Sequence, residues 1–383
     1  MDIAERHDSQ PSSMKRRMQA NDYTARNIYM ITIATEGRQR LLGTLEGSLD
    51  APAGSEGAPW VRLTALGQRV AQEVEGISAY YPQVRVLAKQ VMPDHLHFIV
   101  FVTEQLPVPL GRVINGFKAG CRRALREVMA ASQSDAPRAT TNRGRPQAAT
   151  TNRGTPQAAA TAGRPGVALP SAGVACAAAW QQPVASPHVP RSAVPGVLWE
   201  KGYNDRVLYG KGQLDAMIAY IHDNPRRLLA KRCHQEFFRH DTIVIGGSTL
   251  HAFGNMRLLA DTWRVAVRCS RSLNDEEQQQ ACQDYLRQAD EGAVLVSPFI
   301  SPGERMVLRA AIECCHRLIV IADNGFPPYY KPGGRLFDAC AAGRLLLLSP
   351  FGYHTQQVDL SRSVCNQMNA IATTLATTGH HRR

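Results

Sequence analysis

The chain has no C-x-x-C pair, no long apolar run and too few acids to balance its bases. Its 9 cysteines are an odd number, and only Cys314 and Cys315 are adjacent. That pattern excludes a disulfide framework and a zinc knuckle, and it points to a reducing compartment. No apolar run approaches the length of a membrane span, and Met1 to Asn21 carries no apolar core of a signal peptide. The expectation is a cytoplasmic protein with no membrane partner. No G-x-G-x-x-G and no Walker motif is present, so dinucleotide or ATP binding finds no support. What the chain does have is 44 Lys+Arg against 32 Asp+Glu, a net charge of +12. An excess of base, much of it arginine, suits a polyanion such as nucleic acid, because guanidinium forks onto phosphate oxygens.

At 383 residues the chain is long enough for two cores. Residues 1–22 are polar and read as a flexible arm. Asn27 to Thr35, Val84 to Ala88 and His95 to Val102 are β-branched runs that read as strands. Residues 37–59, rich in Gly and Pro, read as a loop. Leu66, Val70, Val74 and Ile77 recur at helical spacing behind Thr64, a suitable cap. A basic helix follows Pro107. The order strand, helix, strand, strand, helix predicts an α+β domain with an antiparallel sheet over residues 23–131 and 196–239. Between these parts, residues 132–195 are rich in Ala, Thr, Pro, Gly and Arg and contain a ten-residue repeat, Ala139 to Ala148, copied with one change. Such a segment cannot bury a core and is predicted to be a disordered insertion. A helix from Leu214 is predicted to stop at Asn224-Pro225. From residue 240 to 383, short apolar strands alternate with helices, which predicts a separate parallel α/β domain.

Chemistry concentrates in two stretches. Pro93-Asp94-His95-Leu96-His97 sets two histidines at i and i+2 of a strand, so both imidazoles face the same way and can share one divalent cation. Tyr220 and Asn224 lie four residues apart on one helix face. A tyrosine beside a cation can act as a nucleophile toward phosphate, and an amide oxygen can be a third ligand. Each feature also has a plain reading, as strand histidines and a packed helix tyrosine. Lys118, Arg122, Arg123 and Arg126 on the basic helix, with Arg226 and Arg227 beyond Asn224, could track a DNA backbone or form solvated faces. Trp199 and Tyr203 could stack on bases or belong to the core.

His95-Leu96-His97, Trp199 to Asp205 and Tyr220-Ile221-His222-Asp223-Asn224-Pro225, in this order, resemble the HUH single-tyrosine transposases, most of all the branch associated with repetitive extragenic palindromes. The resemblance runs from Asn27 to Arg232 outside the insertion, which departs from the compact pattern of that family. It implies a ferredoxin-like domain that nicks single-stranded DNA beside a hairpin. It further implies Tyr220 as the nucleophile of a 5′-phosphotyrosine, and Mg²⁺ or Mn²⁺ held by His95, His97 and Asn224. Where relatives carry Gln at the third ligand this chain has Asn224, and His222 is an alternative. Monomer and homodimer are both compatible with it. A domesticated DNA-binding regulator without catalysis is the competing expectation.

Val294 to Glu304, followed by Leu318 to Ile321, is similar to Rossmann-like DNA-processing and SLOG proteins. The similarity implies a ligand loop at Ser297 to Glu304, and the basic Lys331 to Arg335 loop would suit a nucleotide or DNA phosphate. Glu304 and Asp338 are the acids available there.

Overall fold

The computed structural model describes residues 21–52, 54–134, 197–328, 330–356 and 360–378. The expected arm therefore lies outside the described residues up to residue 20, and the expected insertion from residue 135 to 195. Two compact units divide at Arg226 and Arg227. The expected boundary, at residue 240, lies further on.

The first unit contains β1 (Asn27–Ala34), β2 (Gly43–Glu46), β3 (Trp60–Leu63), α1 (Ala65–Glu75), α2 (Ile77–Tyr80), β4 (Val84–Val91), β5 (His95–Val102), α3 (Leu110–Ser134), β6 (Asn204–Val207) and the start of α4 (Gln213–Cys233). Four strands form one sheet in the order β4-β5-β1-β6, and each neighbouring pair is antiparallel. Setting aside the β2-β3 hairpin and α2, the chain order is β-α-β-β-α-β, which is the ferredoxin-like topology. The hairpin, Gly43 to Glu46 against Trp60 to Leu63, lies partly inside the stretch read as a loop.

Alternation along the strands assigns the two faces of this sheet. Tyr29, Ile31 and Ile33 of β1 join Leu96, Phe98 and Val100 of β5 in one core. Leu66, Val70 and Val74 of α1, and Val113, Phe117 and Cys121 of α3, close that core. Each such side chain gains roughly 1.5–3 kcal/mol on leaving water. The Thr64 hydroxyl caps α1 by accepting from the Gly67 amide. Gly67 has no alternative, since a Cβ there would lie 1.9 Å from the Leu42 carbonyl oxygen. On the opposite face, Met30, Ala88 and Ile99 pack with Leu208 and with Ile221 of α4.

Helix α4 does not stop at Pro225; it runs on to Cys233 with the proline inside it. Proline lacks the N–H that would reach the Ile221 carbonyl. The Asn224 side-chain amide donates to that carbonyl at 3.4 Å and to the Tyr220 carbonyl at 3.0 Å. The residue before the proline thus supplies the missing donor.

The second unit contains β7 (His240–Ile245), β8 (Ser248–Gly254), β9 (Arg264–Ala266), α5 (Asp275–Asp290), β10 (Val294–Ser297), α6 (Pro302–Glu313), β11 (Leu318–Ile321), α7 (Gly334–Ala341), β12 (Leu345–Ser349) and α8 (Arg362–Thr377). Its sheet has the order β7-β8-β12-β11-β10-β9. β9 to β12 are parallel, as expected; β10, β11 and β12 are short and almost wholly buried, while β9 is half-buried and begins with Arg264. β7 and β8 are an antiparallel extension that the all-parallel expectation missed. Gly246 and Gly247, both at positive φ, make the two-residue turn between them. The chain as a whole is an α+β protein with an antiparallel sheet and a separate, mostly parallel one.

Candidate functional site

The histidines face α4. His97 pairs with Thr32 across the sheet, and the Thr32 hydroxyl lies 2.8 Å from His97 Nδ1. His95 Nδ1 lies 2.6 Å from a carboxylate oxygen of Asp94. Burial works to raise the Asp94 pKa, but the hydrogen bond and charge of His95, with Arg38 behind, hold it below the usual carboxylate value. With both Nδ1 atoms engaged, the two Nε2 atoms turn toward each other and stand 3.1 Å apart. His97 is 7% exposed, so one ring is sunk in the sheet while the other reaches its surface. The tyrosine ring of Tyr220 lies edge-on to His97, with centroids 6.2 Å apart. Its helix face is fixed by Ile221, packed on Ile99 and Met30 of the sheet.

This donor set suits a divalent cation. The Asp94 carboxylate accepts from Nδ1 of His95 and leaves Nε2 of that ring as an acceptor, while the Thr32 hydroxyl holds the His97 ring in place. Two ligand nitrogens about 2.1 Å from one ion lie roughly 3 Å apart when they occupy adjacent octahedral positions. Among the described residues, no group of three His, Cys, Asp or Glu side chains forms a metal site. Among the described residues a further donor would be an amide, hydroxyl, water or substrate oxygen.

The other expected residues separate into those that share this geometry and those that do not. Asn224 is 4% exposed, and its amide nitrogen is committed to the carbonyls of its own helix. His222 is exposed, two positions from Tyr220. Lys118 departs from the expected phosphate role: its Nζ donates to the carbonyls of Glu200, at 2.9 Å, and Gly202. Desolvation lowers its pKa to about 8. It holds the turn before β6. Arg122, Arg123 and Arg126 are exposed on α3, where a backbone could reach them. Arg226 forks onto Asp223, with contacts of 2.5 and 2.8 Å. Arg227 departs more sharply, being 7% exposed with its guanidinium 4.1 Å above the Phe337 ring, so it serves a core. Trp199 and Tyr203 are buried in the first core, which decides for packing over base stacking.

In the second unit the Ser297 to Glu304 loop is already served by an acid. Glu304, 6% exposed, accepts from the amides of Ile300 at 2.8 Å and Ser301 at 3.1 Å. With Ser301 it makes a capping box at the start of α6. The carboxylate thus occupies the amides of the expected ligand loop at the start of α6. In the basic loop, Arg335 pairs with Glu313.

Sequence reasoning overlooked Thr32 and Asp94 as partners of the histidines. For Asp94, its place directly before His95 was the available signal. Thr32 carried none, because its role depends on strand register.

No protein-family model matches the chain. An uncharacterised protein of Haemophilus influenzae is 28% identical, over 27% of this chain and 63% of its own length. Two solved structures are similar over part of the chain. DNA processing protein A from Helicobacter pylori, described for its single-stranded DNA binding mode, has a TM-score of 0.28 and 15% identity. The match covers 36% of this chain and 66% of that one. DNA processing protein A from Streptococcus pneumoniae has a TM-score of 0.29 and 20% identity, covering 42% and 63%. Less than two thirds of each of these proteins is matched, and similarity this low carries no functional weight. No described helix is long and apolar enough to cross a membrane.

Proposed function

We propose that the first unit is a metal-dependent, tyrosine-nucleophile endonuclease and strand transferase acting on single-stranded DNA beside a hairpin. One observation carries this reading: two Nε2 atoms 3.1 Å apart, each imidazole held from behind, with the Tyr220 ring edge-on to His97. The HUH resemblance supports it through the same residues. A divalent cation such as Mg²⁺ or Mn²⁺, when bound, would withdraw charge from a phosphate oxygen. His95 and His97 would hold it, and Asp94 and Thr32 keep their rings aligned. The Tyr220 hydroxyl attacks phosphorus and gives its proton to solvent. A phosphotyrosine bond to the 5′ side forms, and the 3′ oxygen departs and takes up a proton. Arg122, Arg123 and Arg126 attract the phosphate backbone by charge and give salt-dependent affinity.

The test is a covalent one. The full chain is incubated with an end-labelled hairpin oligonucleotide and Mn²⁺, then denatured. The expected result is a labelled adduct that survives denaturation, is absent with EDTA and is lost in Tyr220→Phe. An adduct that persists in Tyr220→Phe removes the nucleophile assignment. DNA binding with no adduct under any metal would favour a non-catalytic regulator.

A further inference from the structure

We propose that Gln90 is a further ligand of the cation held by His95 and His97, through its carboxamide oxygen. The inference rests on the metal site proposed above. It comes from the register of the sheet. Gln90 of β4 pairs with His97 of β5, and His97 with Thr32 of β1. Residues opposite one another in antiparallel strands share a face, with Cβ atoms about 4.5–5.5 Å apart. Gln90 therefore stands beside His97 on the face that carries His95 and Tyr220.

It stands there because of a bulge. The pairing passes from Val86 with Val100 to Ala88 with Ile99, so Leu87 is an extra residue in β4. Without it, Lys89 would oppose His97 and Gln90 would oppose Leu96. A one-residue slip exchanges the faces of a strand, and bulges are a means of re-aiming a side chain. The outcome is a sorting of charge. Lys89 turns to the α1 face, where its Nζ donates to the Ala71 carbonyl at 3.1 Å and pairs with Glu75. A lysine opposite His97 would set a fixed positive charge against the cation. Gln90 is neutral and carries an oxygen donor that a hard cation accepts. Its amide nitrogen donates to the Val91 carbonyl at 3.0 Å, which leaves the oxygen as the accepting end. The Asn224 nitrogen is engaged in the same way at the break before Pro225, so its oxygen and that of Gln90 are compatible donors to one cation.

Calorimetric titration of the full chain with Mn²⁺ tests this without reference to DNA cleavage. Gln90→Met keeps the length and flexibility of the side chain and removes the oxygen. Its Mn²⁺ affinity is expected to fall about 10-fold or more. Gln90→Glu is expected to bind Mn²⁺ more tightly than the wild type. Thermal melts in EDTA should match the wild type for both variants, and they report any folding defect separately. Wild-type affinity in Gln90→Met, while His95→Ala has lost binding, overturns the role of Gln90 and leaves the histidine site standing. Weaker binding in Gln90→Glu than in the wild type also overturns it. If the wild type itself binds no Mn²⁺, the metal site falls and Gln90 with it.

Discussion

Replacing Asn224 by alanine separates two roles for one amide. Its nitrogen donates to the Ile221 carbonyl, whose regular helical partner would be the N–H that Pro225 lacks. Ile221 is fully buried, so no water replaces the lost donor. Leaving a buried carbonyl unpaired costs about 1–3 kcal/mol. The 3.4 Å contact is long, which argues for the lower half of that range. The Tyr220 carbonyl loses less, because the Asn224 backbone N–H serves it in any regular helix. The expected local destabilisation is about 1–2 kcal/mol. Pro225→Ala returns an N–H to the Ile221 carbonyl. The double variant should therefore lose less than the two single effects predict, by about 1 kcal/mol.

Hydrogen exchange read by mass spectrometry over α4, in EDTA, measures this locally for the wild type, both single variants and the double variant. Strict additivity would refute the patching role. So would unchanged protection in Asn224→Ala. Asn224→Asp sharpens the contrast. As a patch, it places a carboxylate against two carbonyls and lowers protection further. As a cation ligand, it would raise Mn²⁺ affinity. Tighter Mn²⁺ binding with intact protection would assign Asn224 to the metal site in place of the patch.

Other tests follow from the same contacts. Lys118 has a folded-state pKa of about 8, below its ordinary 10.5, so between these values the unfolded chain holds a proton that the folded chain has released. Wild-type stability should rise relative to Lys118→Met as pH passes through that window; a pH-independent difference in urea melts would refute it. Glu304→Ala strips an acceptor from the Ile300 and Ser301 amides and should cost about 2–3 kcal/mol in the second unit, followed by local hydrogen exchange. Thr32→Val releases His97 Nδ1 and should weaken Mn²⁺ binding about 10-fold, with unchanged affinity counting against its orienting role. Reversing Arg122 and Arg126 to Glu should flatten the salt dependence of single-stranded DNA binding, while Lys118→Met should leave it as it was.

The histidine pair was legible because period two is a local property of a strand. Its surroundings were not, since the register of β4 depends on a bulge at Leu87 that a β-branched run conceals. The end of α4 was misread for a related reason. Proline is a strong stop in isolation, and the compensating amide next to it shows only in three dimensions. The β7-β8 hairpin was within reach: Gly246-Gly247 between Val244-Ile245 and Thr249-Leu250 is a hairpin signal. So was α8, whose Met368, Ile371, Ala372 and Leu375 follow helical spacing. Charge misled most. Lys118, Arg122 and Arg227 look alike in sequence, yet one ties carbonyls, one meets solvent and one lies over a ring.

The two halves of the proposed site are held by different means, and this makes them separable. His97 lies in a central strand with β1 on one side and β4 on the other, and His95 is tied to Asp94. That half depends on sheet register. Tyr220 depends on a helix face, chiefly Ile221 against Met30, Ile99 and Leu208, one turn before the break at Pro225. Shortening Ile221 to alanine costs about 2–5 kcal/mol of packing and loosens only the helix. Such a variant should retain Mn²⁺ binding while its adduct yield falls, since cation and nucleophile need each other only at the phosphate. Loss of both together would mean that α4 also shapes the cation site.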